Sequence, residues 1–174
     1  MLNRIVLFFV FLGIFSASFA VGAEVQVSEE ESEIVLEQFE TLIVEIDAVG
    51  IFVHNTSLAL PMFIPGFGIA WGAFAAFSTG MAFSVLQGAN PALENITSLT
   101  ILFMSPFGLM EVAAYSIAMS RSYMIVHKMI KRMPIRPDLR VIGIEIAILV
   151  GLLLVGGFVE YYFIENIPTD TPKI

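Results

Sequence analysis

Residues 48–93 form an unbroken stretch of 46 positions without a single Asp, Glu, Lys or Arg. A soluble domain carries roughly 25% charged residues, so a stretch like this has to find a non-aqueous environment. A bilayer core about 30 Å thick takes roughly 20 mostly apolar residues in a helix rising ~1.5 Å per residue. The stretch is therefore too long for one crossing and suits two with a tight connection. The whole chain agrees, at 57% hydrophobic, 14% charged and a mean hydropathy of +0.88. That balance excludes a soluble globular enzyme, a disordered chain and a basic nucleic-acid binder.

Three further apolar runs accompany this one. Residues 5–21 are uncharged and follow Arg4; residues 96–120 are interrupted only by Glu111; residues 141–164 carry Glu145 and, near their end, Glu160. The expected fold is all-α: a polytopic transmembrane helix bundle of about five spans with one extracytoplasmic amphipathic helix. The organisation expected is a first span over 1–23, an acidic external helix over 24–48, a bundle over 49–166 with a basic loop at 121–140, and an external tail at 167–174. Pro61, Pro65, Gly66, Gly68 and Gly72 mark the connection inside the long run, since proline removes a donor and glycine loosens the backbone. A turn there leaves a second span over 49–64, short enough that a re-entrant helix is an alternative. The first span, ending in Val21-Gly22-Ala23, also has the outline of a signal peptide. Its apolar core of 17 residues exceeds the roughly 7–15 usual for one and favours an uncleaved anchor.

Charge orients the chain. Six of the eight bases (Arg121, Lys128, Lys131, Arg132, Arg136 and Arg140) fall in one short segment, and short basic loops stay cytoplasmic. Arg4 falls on the same side after an even number of crossings. The N-terminus and loop 121–140 are thus expected inside a plasma membrane, with helix 24–48 and the C-terminus outside. Within the loop, Lys128, Lys131, Arg132 and Arg136 are candidates for lipid headgroups, each worth about 1 kcal/mol near an anionic surface.

Residues 24–47 hold nine acids and no base. Ser28 and Glu31 have capping-box spacing, and the early glutamates suit the positive end of a helix dipole. Leu36, Phe39, Ile43 and Ile46 recur at three- and four-residue steps and form an apolar stripe. The stripe has to cover itself on the outer leaflet, on the bundle or on another subunit. It is the expected partner-facing surface, toward other membrane proteins or a second copy.

Ionisable groups inside spans are costly and are functional candidates for that reason. Glu111 is the deepest of them, with small residues nearby that let a helix approach. Asn55 should sit roughly 10–15 Å nearer the outside if the helices run straight. Glu145 reads as interfacial, within reach of Arg140 or Arg121. Asn95 is the plausible acceptor of two outward glycosylation sequons. The chain has no cysteine and only two histidines, His54 and His127, far apart in sequence. No catalytic triad, paired catalytic carboxylates, metal site or cofactor is expected.

The middle of the chain resembles the stage II sporulation protein M (SpoIIM-like) family of integral membrane proteins. The residues that carry the resemblance are Ile51-Phe52-Val53-His54-Asn55, Pro65-Gly66-Phe67-Gly68 with Gly72, Thr79-Gly80, and Pro106-Phe107-Gly108-Leu109-Met110-Glu111 with Ala113 and Ala118. Phe107 stands where the family usually has His, and Thr79 where it has Asn. The resemblance implies Asn55, Gly80, Pro106, Gly108 and Glu111 as core-polar and packing positions. It also implies a membrane scaffold without catalysis that recruits other proteins. The rival expectation is a small ion- or proton-coupled transporter or channel-like protein using Glu111. An intramembrane hydrolase is weaker still, because Phe107 replaces the family histidine.

Overall fold

The computed structural model describes residues 3–45, 47–90 and 96–166, apart from the side chains of 38–45. The described residues are helical, with short turns between. The helices are α1 (Arg4–Ala23), α2 (Glu29–Glu45), α3 (Ala48–Ala59), α4 (Phe67–Ala89), α5 (Ser98–Met104), α6 (Pro106–Ile130) and α7 (Leu139–Asn166). A 3-10 turn, Leu60–Phe63, extends α3, and another, Arg136–Asp138, leads into α7.

Among the described residues, three helical segments are long and apolar enough to cross a membrane: Arg4–Ala23, Phe67–Ala89 and Arg136–Asn166. The pair α5–α6 adds a fourth if taken together, although its halves are bent by 89°, and Ala48–Phe63 is a shorter apolar helix. The long apolar stretch thus becomes a helical hairpin, α3 with its 3-10 extension followed by α4. The run at 96–120 departs from expectation because it is not one helix. Ser105 breaks it, accepting from the Gly108 amide as N-cap at 3.1 Å, and Pro106 takes the first turn of α6. Proline fits there because the first helical amides have no partner within the helix. The helix also runs on to Ile130, so the connection before α7 is much shorter than a loop over 121–140.

The core lies where α1, α4, α6 and α7 meet. α1 contributes Leu7, Phe11, Phe15 and Phe19, one residue per turn, all buried. Its opposite face, including Ile5, Phe9 and Val10, is exposed, as expected of a helix whose other face lies in lipid. Close approach of α1 to α4 depends on two glycines: a Cβ on Gly80 would lie 2.0 Å from the Phe19 carbonyl oxygen, and one on Gly22 2.0 Å from that of Phe77. The α3–α4 turn is tied to α6. Ser122 Oγ donates to the Ile64 carbonyl (2.7 Å) and accepts from the Gly66 amide (3.0 Å), while Gly66 takes a φ of 78° that glycine adopts freely.

Candidate functional site

Two polar layers cross this apolar bundle. The first joins α3, α6 and α7. Asn55, buried on α3, donates from Nδ2 to Glu111 Oε1 on α6 at 2.6 Å. Gly156 of α7 faces Met110 and the Phe107 carbonyl. One turn beyond it, Glu160 lies within electrostatic range of Glu111 and of the buried Tyr115. An amide and a carboxyl thus meet in one hydrogen bond, with a second carboxyl and a phenol within electrostatic range. Such a group of side chains could hold a proton or a cation away from water.

One sequence expectation is corrected here. Asn55 is level with Glu111 rather than 10–15 Å above it, because α6 begins at Pro106 and Glu111 falls in its second turn. Glu160 of α7, half-buried, lies within electrostatic range of the same carboxyl.

The second layer joins α1, α6 and α7. Glu145 is buried and pairs with Arg121, one of the two partners within its expected reach. Its Oε2 accepts from Arg121 Nε at 2.5 Å, and its Oε1 accepts from Arg121 Nη2 at 2.7 Å and from Arg4 Nε at 2.8 Å. Arg4 also donates from Nη1 to Ser120 Oγ and from Nη2 to the Ile117 carbonyl, at 3.2 Å. Arg121 presents its guanidinium fork to the carboxylate, the strongest geometry for such a pair. Arg4 was missed as a partner in the sequence reading, although the charge rule already put it at the same end of the bundle as Arg121 and Glu145.

The remaining motif positions serve packing. Gly108 sits within 2.6 Å, measured from its would-be Cβ, of the Leu102 carbonyl oxygen and Ser105 Oγ, so the α5–α6 bend needs it bare. Phe107 stacks edge-on against Phe163 with ring centroids 6.2 Å apart, a contact a histidine at this position would not need. Thr79 is exposed and donates to the Ala75 carbonyl of its own helix.

α2 begins with the expected capping box. The Glu31 amide donates to Ser28 Oγ at 3.3 Å, and Glu31 Oε2 accepts from the Ser28 hydroxyl at 2.7 Å and its amide at 3.3 Å. These two bonds, the hydroxyl first, hold the Glu31 carboxyl below the usual carboxylate range. α2 packs against α4; Leu36 is half-buried, whereas Glu29, Glu30, Glu31, Glu33 and Glu37 are exposed. Of the other stripe residues, Phe39 and Ile43 lie on α2 where side chains are not described, and Ile46 lies outside the described residues, as do Asn95 and 167–174.

The basic segment divides in two. Arg121 belongs to the buried layer, and Lys128 is paired with Asp138, which takes both from the set free to meet headgroups. Lys131, Arg132 and Arg136 are exposed.

No family model matches the chain, and neither does a curated protein or a solved structure.

Proposed function

We propose that the chain is a five-crossing integral membrane protein that acts as a scaffold or subunit of a membrane complex, with no catalytic step of its own. In this reading the Arg4 end faces the cytoplasm of a plasma membrane, while α2 and the C-terminus lie outside. α3 completes a short second crossing, and α5 with α6 makes the fourth. The observation that carries the reading is the geometry of α2. A capped helix lies against α4 by one side and turns a face of five glutamates outward, a surface suited to a partner rather than to lipid. Its apolar stripe fits helix-to-helix contact with another membrane protein or a second copy. Removing 24–47 while keeping the spans should abolish co-purification with partners. Retention of the same partners would show that α2 is not the recruiting element.

The meeting of Asn55 with Glu111 supports placing the chain with the SpoIIM-like proteins, since both are polar positions of that pattern. The same meeting favours a second reading, a small ion- or proton-coupled transporter. α6 rises ~15 Å between Arg121 and Glu111. With the Arg4 layer at the inner edge of a core about 30 Å thick, Glu111 stands near the midplane with Glu160 above it. Glu111→Gln decides between the two: a transporter loses flux in reconstituted vesicles while folding normally, and a scaffold keeps its partners.

A further inference from the structure

The α6–α7 hairpin projects beyond the rest of the bundle at its Arg4 end. α1 begins at Arg4, level with Arg121 and Glu145, and the α3–α4 turn is tied to Ser122. α6 continues to Ile130, a further ~13 Å. The projecting tip has an unusual surface for a helix connection in water. Ile130 is 73% exposed, Leu139 60% and Met133 48%, and Lys131, Arg132 and Arg136 are exposed among them. Asp138, the acid of this segment, is already bound to Lys128. Arg132 takes a φ of 52°, a left-handed conformation that closes the end of α6 through the Met133 amide and Lys128 carbonyl. Glycine would hold that position without strain, so the arginine there costs stability and contributes charge.

We propose that this tip is a docking surface for an acidic amphipathic helix of a cytoplasmic partner protein. The argument rests on charge and depth, and on the membrane placement proposed above. The partner must supply carboxylates for Lys131, Arg132 and Arg136 and an apolar stripe for Ile130, Met133 and Leu139. An anionic lipid surface supplies the charge but does not reach the apolar groups. α1 has 20 residues, only enough to span a core of about 30 Å, which fixes Arg4 at its edge. Headgroups extend only about 5–8 Å further on each side, so the tip stands beyond them in water.

The chain has no native cysteine, so single labels report unambiguously. In nanodiscs of phosphatidylcholine, a spin label at Ile130→Cys should be open to a water-soluble relaxation agent, and one at Phe9→Cys should be open to oxygen in the acyl chains. A synthetic helix with leucines on one face and glutamates on the other should bind the full-length protein and be released by salt. Arg132→Gly combined with Arg136→Gln should bind it about tenfold less tightly with undiminished thermal stability, because the glycine relieves the backbone. An Ile130 label in the acyl chains, or a peptide that fails to bind the native protein, overturns the proposal. An aqueous signal at Phe9 would remove the membrane placement itself, and the docking surface with it.

Discussion

Glu145 shows what one carboxylate can hold together. It joins α7 to α6 through Arg121 and to α1 through Arg4, and Arg121 has only 4% of its side chain exposed. A buried ion pair need not add net stability, but removing one partner strands the other charge at a cost of about 3–5 kcal/mol. Glu145→Gln should therefore lower the thermal unfolding midpoint in detergent sharply, and an unchanged midpoint would mean the guanidiniums are solvated. Arg121→Leu is milder by the same logic, since Arg4 still balances the carboxylate. Much at this scale was legible in sequence. The ionisable residues in the spans were visible, and both polar layers are built from them. Their partners were less so, because helix depth was counted along straight runs and Asn55 was misplaced against Glu111. Glu31 adds a dependence on pH. Its carboxyl is held below the ordinary range in the folded chain, so its support for α2 is present above the ordinary carboxylate pKa and is lost as pH falls through the lowered one. An NMR titration of Glu31 should show that lowered midpoint, and an ordinary value would remove the capping box from the account.

Glycines divide the helices into faces that pack and faces that do not. Gly80 and Gly22 meet opposing carbonyls, whereas a Cβ on Gly151 or Gly143 would meet nothing within 4 Å. Gly80→Val has to push α1 from α4 and should cost at least the ~1–3 kcal/mol of an overpacked core, while Gly151→Ala should leave stability nearly unchanged. Comparing the two variants by unfolding in mixed micelles checks this, and equal losses would contradict the α1–α4 packing. The hairpin turn, α1 and the start of α2 follow signals that can be read along the chain: apolar length, proline and glycine, and a capping serine. The bend between α5 and α6 does not, because hydropathy carries no direction and an apolar run reads alike whether straight or folded by 89°. Pro106 and Gly108 at the bend were read as parts of a motif rather than as a helix start, and the capping Ser105 was not read at all.

Across the whole molecule, charge and packing run along the same axis. The basic residues Arg4, Arg121 and those of 128–140 gather at one end, and five exposed glutamates, Glu29, Glu30, Glu31, Glu33 and Glu37, lie on α2. The helical class and the apolar crossings follow from uncharged length alone. What α2 engages does not, since a stripe and an acidic face define a surface without naming its occupant. The proposed scaffold role therefore stands or falls on what touches α2 in the native membrane. A photo-crosslinking residue at Ile34, half exposed on that helix, measures this directly. The account predicts a small set of membrane-protein adducts that disappear when Glu29, Glu30 and Glu33 are changed together to Gln. Adducts to lipid alone, or a protein pattern unaffected by those changes, would contradict it.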